Sequence, residues 1–159
     1  MPIGGVMATV SAGLLPYRWR DEELEVFLVH PGGPFWANKD DGAWSIAKGE
    51  IGEGEAPRAA ARREFQEETG LTLAGEGFAL TPVRQAGGKL VHAFALEAEI
   101  EPAAIRSNHF TMEWPPRSGE RRDFPEVDRA GWFGLEAARR KLLQSQLPLL
   151  EDLRLRLRP

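Results

Sequence analysis

Short apolar runs in the first third of the chain predict a pair of β-strands. Residues 6–15 and 24–30 are rich in apolar, β-branched and aromatic side chains, and the charged segment 18–23 separates them. Runs of this length and composition are typical of strands. Residues 43–47 form a shorter strand candidate, which follows the turn-rich stretch HPGGPFW.

The strongest helix signal lies at residues 56–69, after the glycine-rich segment 48–54. Pro57 suits the first turn of a helix, where an amide hydrogen has no partner within the helix. Gly70 is placed to end the helix in a left-handed conformation. Both ends of the helix are therefore marked in the sequence.

Farther along the chain, the pattern predicts two more strands, a loop and a second helix. Residues 78–85 and 90–100 are strand candidates, and the turn Ala-Gly-Gly joins them. Residues 107–128 are rich in proline and charge, which predicts a surface loop. Residues 135–145 predict a helix.

The end of the chain leaves two structures open. Pro148 is expected to end or kink the last helix, before a tail in which leucine and arginine alternate. This tail fits either a helix or an edge strand. Central strands with flanking helices predict an α+β fold with α/β/α layers, in one domain over residues 1–159.

The composition narrows the chemistry and the cellular setting. The 159 residues include no cysteine, which excludes disulfides and thiol nucleophiles and predicts a cytoplasmic protein. The first residues lack a signal-peptide pattern, and no apolar run is long enough to span a membrane. The net charge of −4 disfavours non-specific nucleic-acid binding. We therefore expect neither a membrane nor a nucleic acid as a partner, and the oligomeric state has no signature in the sequence.

Three carboxylates, Glu64, Glu67 and Glu68, share one face of the predicted helix. At about 100° per residue, Glu67 lies at about −60° and Glu68 at about +40° from Glu64. Like charges at this spacing, and negative charge in a last turn, both destabilise a helix. A bound divalent cation would reverse these penalties. The alternative interpretation of the same residues is a solvated acidic face.

A longer pattern surrounds the three carboxylates. Its fixed positions are Gly49, Glu55, Arg63, Glu64, Phe65, Glu67, Glu68, Gly70 and Leu71. This pattern resembles the Nudix box, G-x5-E-x7-R-E-U-x-E-E-x-G-U, in which U is a bulky apolar residue, and it fills every fixed position without a gap. The segments WSIAKGEI and RAGWFGLEAA also resemble Nudix proteins.

The resemblance implies a Nudix hydrolase, in which a loop-helix-loop binds divalent metal inside an α/β/α sandwich with a mixed sheet. It implies that Glu64, Glu67 and Glu68 hold Mg²⁺, with Mn²⁺ as a substitute. It also implies that a backbone carbonyl at Lys48 or Gly49 joins them, and that Glu64 can accept a proton.

Three residues outside this ligand set have roles that the resemblance suggests. Arg63 and Glu55 resemble a structural pair that supports the loop and the helix. Glu126 stands six residues before Trp132, where several relatives carry a general base or a further metal ligand. Glu113 is the alternative base.

Basic and aromatic residues supply the candidate substrate contacts. Because basic side chains bind phosphate oxygens, we favour Lys48, Arg84 and Lys89, the last two of which flank the predicted turn. Trp114 is the candidate for stacking on a purine base. The other loop aromatics with this option are Phe35, Trp36 and Phe124. We assign Trp44, Phe94, Trp132 and Phe133 to the core, and expect His30, His92 and His109 to be structural or exposed.

The expected substrate is a nucleoside or dinucleoside polyphosphate. WSIAKGEI resembles the W-x-x-P-K-G stretch of diadenosine and diphosphoinositol polyphosphate hydrolases, with Ala47 in place of the proline. An ADP-sugar and a diphosphoinositol polyphosphate stay open as substrates. A nucleotide-binding sensor without turnover also stays open, whereas the missing cysteine counts against an isomerase on this fold.

Overall fold

The computed structural model describes residues 9–158 of the chain. Its helices and strands are, in order, β1 (Val10–Arg20), β2 (Glu23–Pro31), β3 (Ala47–Glu50), α1 (Pro57–Thr69), β4 (Phe78–Ala79), β5 (Val83–Arg84), β6 (Leu90–Glu97), β7 (His109–Glu113), β8 (Arg121–Pro125), β9 (Val127–Gly134), α2 (Leu135–Lys141) and α3 (Leu147–Arg156). Short 3₁₀ turns lie at Ala86–Gly88, Pro102–Ala104 and Gln144–Gln146.

A mixed sheet of seven strands forms the centre of the described part of the chain. The strand order is β4-β6-β1-β2-β9, with β3 paired to β1 and β5 paired to β6. β1 and β6 run parallel, whereas the other pairs are antiparallel. β7 and β8 form a separate two-stranded hairpin. The predicted α+β fold with a mixed sheet is confirmed.

Two apolar clusters cover the opposite faces of this sheet, because successive side chains of a strand point to opposite sides. On one face α1 packs on the sheet through Ala60, Ala61 and Phe65. On the other face α2 and α3 pack through Ala138, Leu149 and Leu153. β1 contributes Leu14 to the first cluster and Leu15 to the second. Strands buried on both faces have continuous apolar sequences, which explains the unbroken run at the start of the chain.

The predicted ends of α1 are confirmed to within one residue. Ala56 is extended and precedes the helix, and Pro57 occupies its first turn. Gly70 adopts a left-handed conformation with φ of 76°, and its amide donates to the carbonyl of Gln66 at 2.7 Å. Burial of Phe65 on the inner face contributes roughly 1.5–3 kcal/mol to the stability of the fold.

The prediction of a loop over residues 107–128 is wrong, since β7 and β8 lie within it. Their register pairs Phe110 with Phe124 and Met112 with Arg122. Phe110 and Met112 lie on the more buried side of β7, and exposed residues alternate with them. This alternation is a strand pattern that the surrounding prolines and charges obscured.

The strand predicted over residues 78–85 is interrupted. It consists of β4 and β5, both of which pair with β6. Pro82 has no amide hydrogen for a ladder, and the amide of Thr81 donates to Asp152 of α3 at 2.7 Å. Contact with the helix layer therefore replaces strand pairing at this point.

The remaining strand boundaries also differ from the prediction. Residues 6–8 lie outside the described part of the chain, and β1 continues through Arg20 into the segment expected to separate the strands. Residues 43–47 contribute a bridge between Ser45 and Val29, and β3 itself begins at Ala47. β6 ends at Glu97 rather than at residue 100.

Pro148 does not end a helix, because α2 already stops at Lys141 and Pro148 lies in the first turn of α3. The tail is helical rather than a strand, since Leu149, Leu150 and Leu153 are all buried in the core. None of the helices within residues 9–158 has the length and apolar character needed to cross a membrane.

Candidate active site

A cleft opens beside the end of β2 and the start of β3. Along one edge, residues 11–14 of β1 pair with β3, and residues 17–20 pair with β2. The cleft has a volume of ≈ 150 Å³, and its charged lining residues are Lys48, Glu68 and Glu126. These side chains come from β3, from α1 and from the residue just before β9.

Gly49 brings β3 into close contact with α1. A Cβ built on Gly49 would overlap the carboxylate of Glu64. Only glycine therefore leaves Glu64 in its observed position. The pairing of Gly49 with Ala12 of β1 fixes this contact relative to the sheet.

Arg63 joins the loop before α1 to the helix. Its Nε and Nη2 donate to the two carboxylate oxygens of Glu55, each at 2.9 Å, and Nη2 also donates to the carbonyl of Glu50 at 3.0 Å. The amide of Gly52 donates to Glu55 at 2.8 Å. The hydrogen bonds from Arg63 and Gly52 lower the pKa of Glu55 to about 2. A paired guanidinium and carboxylate thus hold the loop in place.

The same arginine contacts two of the three carboxylates on the helix face. Arg63 Nη1 donates to Glu64 at 2.8 Å and to Glu67 at 3.1 Å. The side chain of Glu64 is 13% exposed, whereas that of Glu67 is 43% exposed. Burial raises the pKa of Glu64, although its bond to Arg63 acts in the opposite direction.

Glu68 faces into the cleft, away from Arg63. Burial raises its pKa to about 8, and the negative charges of Glu64 and Glu126 add to this effect. Lys48 acts in the opposite direction. Glu68 and Glu126 therefore approach one another from α1 and from the start of β9, with a lysine beside them.

The carboxylates do not yet form a closed ligand set. Within residues 9–158, no three Asp, Glu, His or Cys side chains converge closely enough to hold a metal ion. The chemistry of the donors nevertheless fits a hard divalent cation, because Glu64 and Glu126 both disfavour ionisation of the half-buried Glu68. A cation among these oxygens would remove that repulsion.

Backbone hydrogen bonds position Glu126. Its carbonyl accepts from the amide of Gly32 at 2.9 Å, and its amide donates to the carbonyl of Asn108 at 2.9 Å. Glu113 lies elsewhere, in the β7–β8 hairpin, where its carboxylate accepts from the amide of Gly119 at 2.7 Å. Of the two candidate bases, only Glu126 lines the cleft.

The candidate phosphate-binding cations separate into two groups. Lys48 and Lys89 line one cavity of ≈ 630 Å³ next to the cleft, together with Gln85. Burial and the charge of Lys89 lower the pKa of Lys48. Arg84 instead donates to the carbonyl of Gly88 at 2.9 Å and so belongs to its own turn.

Trp114 packs edge to face on Phe35, with ring centroids 5.4 Å apart. The adjoining groove is lined by Phe35, Trp36, Phe110 and Met112, among others, and Trp114 does not line it. Phe110 and Met112 were not among the predicted contacts, because the prolines and charges of their segment indicate a loop. The alternation in HFTME was the signal that could have identified them.

The four aromatic residues predicted for the core are buried or pack against it. Trp44 and Phe94 are buried, and Trp132 and Phe133 pack against the two apolar clusters. His30 is fully buried between Asp128, at 2.8 Å, and the carbonyl of Lys39, at 2.6 Å. The other two histidines are half-buried (His92) and exposed (His109).

Several solved structures have a similar fold. The NUDIX domain of Shewanella oneidensis NrtR, complexed with ADP ribose, matches with a TM-score of 0.67 and 19% identity over 97% of this chain and 91% of that chain. A C. elegans Ap4A hydrolase binary complex matches with a TM-score of 0.64 and 23% identity over 94% of this chain and 98% of that chain. At these identities the likeness shows the fold alone.

Sequence comparison adds one curated relative and one family. An octanoyltransferase of Myxococcus xanthus is 30% identical over 136 residues, which are 86% of this chain and 33% of that protein. The chain thus spans about a third of the length of that relative, whose name says nothing about this chain's own activity. The model of the NUDIX domain matches residues 7–153, so the chain belongs to the Nudix family.

Proposed function

We propose that this chain is a divalent-metal-dependent hydrolase that cleaves a phosphoanhydride bond in a nucleoside or dinucleoside polyphosphate. The observation that carries the proposal is the cleft that Glu68 of α1, Glu126 and Lys48 line together. The two carboxylates can bind a metal ion and accept a proton. The lysine can bind phosphate oxygens.

The metal would be held by the carboxylates of α1. Nudix enzymes generally use divalent metals, and here Glu64, Glu67 and Glu68 would bind Mg²⁺ or Mn²⁺ together with the carbonyl of Gly49 or Lys48. A bound divalent ion neutralises phosphate oxygens and lowers the pKa of water. Arg63 and Glu55 would support the metal ligands without contacting the substrate. The two hydrogen bonds between them join the loop before α1 to the helix.

Glu126 would act as the general base. Its carboxylate accepts a proton from the attacking water, whose oxygen forms a bond to phosphorus while the bridging P–O bond breaks. The leaving phosphate carries away the electron pair of that bond. Glu64 is the second candidate for this role, because burial raises its pKa.

Lys48 and Lys89 would bind the phosphates next to the scissile bond. They line a common cavity beside the cleft, so a polyphosphate that extends from the cleft into this cavity would contact both ammonium groups. Arg84 is a weaker candidate, since its guanidinium is bonded within its own turn.

A cytoplasmic location stays a prediction from the sequence.

The names of the similar structures support a nucleotide substrate. One was solved with ADP ribose and another is an Ap4A hydrolase. ADP ribose and Ap4A are both nucleotides that contain phosphoanhydride bonds, as the proposal requires. The test also includes ADP-sugars and diphosphoinositol polyphosphates, because both remain alternative substrates.

A hydrolysis panel, in which the products are separated by chromatography, tests the proposal, because cleavage of an ADP-sugar or a dinucleoside polyphosphate frees no inorganic phosphate. The purified protein is incubated with Mg²⁺ and nucleoside triphosphates, dinucleoside polyphosphates, ADP-sugars or diphosphoinositol polyphosphates, with Glu67→Gln as the control variant. We expect Mg²⁺-dependent cleavage of one nucleotide class. Glu67→Gln should lose at least about 10- to 100-fold of this activity, the range seen when a group that only orients a metal ligand is removed. Nucleotide binding without turnover on any compound would favour the sensor instead.

A further inference from the structure

An aromatic groove of ≈ 350 Å³ lies beside the cleft, in a position that the proposed chemistry does not use. Its walls include Phe35 and Trp36 from the loop after β2, and Phe110 and Met112 from β7. Phe35 is 61% exposed and Trp36 is 36% exposed. Large apolar side chains exposed side by side in a concavity are typical of a ligand site.

The groove is continuous with the cleft. Pro31 and Glu126 line both of them. A substrate whose phosphates lie at Glu68 and Glu126 would therefore extend its next group into the aromatic groove.

The loop and the hairpin are fitted to each other at the floor of the groove. Gly33 has φ of +97°, and a Cβ there would lie 2.9 Å from the ring of Phe110. A Cβ on Gly32 would overlap the carbonyl of Pro125. Phe124 supports Phe110 from the neighbouring strand, with ring centroids 5.9 Å apart. The walls are thus built from two segments whose close approach requires glycine.

The charge of the groove limits what it can hold. Glu126 is the only charged residue among those that line it. Further phosphate groups, such as those around an inositol ring, would meet a carboxylate on the lining of the groove. The ammonium group nearest to its aromatic wall is that of Lys39, which lies over the Trp36 ring with Nζ 5.5 Å from the ring centroid. A neutral, planar group suits aromatic and thioether walls, since flat rings stack on aromatic faces and sulfur packs against rings.

We infer that the groove formed by Phe35, Trp36, Phe110 and Met112 binds the nucleobase of the substrate. The inference rests on the proposed function, because that function places the phosphates at the adjoining cleft. Trp36 and Phe110 supply the stacking faces. Trp114 is a positioning residue, since it packs on Phe35 and does not line the groove.

The test compares two substrates that differ only in the base, ATP and ribose 5-triphosphate, on wild type and Trp36→Ala. Trp19→Ala is the matched control, since Trp19 is 46% exposed and lies in β1 away from the groove. Equilibrium dialysis of AMP gives a second readout that needs no turnover. Trp36→Phe keeps an aromatic face and checks that any loss comes from stacking rather than from misfolding.

We expect Trp36→Ala to lower kcat/KM for ATP and to weaken AMP binding by about 5- to 150-fold, the effect of losing one base–aromatic stack. Hydrolysis of ribose 5-triphosphate should be unchanged, Trp36→Phe should retain most of the ATP activity, and Trp19→Ala should match wild type. An equal loss on both substrates, or no loss on ATP, would overturn the inference. If wild type cleaves neither compound, ATP is not the substrate, the panel of other nucleotides decides the proposed function, and AMP binding decides the inference. Weaker AMP binding by Trp36→Ala supports the groove, and unchanged or absent binding refutes it.

Discussion

The carboxylate of Glu64 fills the space that a side chain on Gly49 would need. Gly49 belongs to β3 and Glu64 to α1, so their contact sets how closely the helix approaches the strand. Steric contact with Glu64 therefore explains why this chain has glycine at the first position of the Nudix box. Glycine leaves room for a half-buried carboxylate that belongs to the proposed metal site.

Gly49→Ala should displace Glu64 without unfolding the protein. The atoms that a Cβ would meet are the flexible end of a side chain, which can rotate away, so we expect little change in Tm. Activity and Mg²⁺ affinity should fall by about 10- to 100-fold, the effect of disturbing a group that orients a metal ligand. Gly134→Ala is the control, because a Cβ at that position meets nothing within 4 Å. Unchanged Mg²⁺ affinity in Gly49→Ala would contradict this account.

The pair of Glu55 and Arg63 should make stability depend on pH in the acidic range. The folded-state pKa of Glu55 is lowered from 4.5 to about 2, so its stabilising effect is present above 4.5 and is lost as the pH falls towards 2. Glu55→Gln should therefore lower Tm at about pH 6, and the difference from wild type should narrow towards about pH 3. Thermal melts of both proteins across this range measure the effect. A constant difference at all pH values would show that the charge of Glu55 is not its cause.

Local signals account for the parts of the fold that were predictable. Pro57 and Gly70 mark the ends of α1 through backbone preferences that act at single positions. The unbroken apolar run of β1 likewise follows from burial on both faces of the sheet. These features need no knowledge of distant residues.

The features of the fold and of the site that were not predicted depend on contacts between segments that are distant in the sequence. Phe110 and Met112 alternate correctly for a strand, yet their burial comes from the loop after β2. Lys89 and Arg84 flank the same turn, and the sequence could not show that only Lys89 lines the cavity with Lys48. Glu126 was proposed from its distance to Trp132, and its place in the cleft involves a hydrogen bond from the amide of Gly32, which is distant in the sequence.

His30 should be a strong determinant of stability despite having no part in the proposed chemistry. It is fully buried, and its two ring nitrogens contact Asp128 and the carbonyl of Lys39. His30→Leu removes the buried imidazole together with its contacts to Asp128 and to the carbonyl of Lys39, which should lower the free energy of unfolding by about 1–3 kcal/mol. His109→Leu is the matched control, since its contact with Asp123 is exposed and worth only about 0–1 kcal/mol. Urea denaturation compares the two, and equal losses would disprove the distinction.

Glu126 and Glu113 should differ sharply in their effect on turnover. Glu126 lines the cleft with Glu68, whereas Glu113 caps a turn through the amide of Gly119. Glu126→Gln removes the proton acceptor but keeps the shape of the side chain, so kcat should fall by about 10² to 10⁴-fold at saturating Mg²⁺. Glu113→Gln keeps an acceptor for Gly119 and should leave kcat unchanged. Full turnover by Glu126→Gln would exclude it as the base, and loss of kcat with unchanged Mg²⁺ affinity in Glu64→Gln would then assign the proton to Glu64.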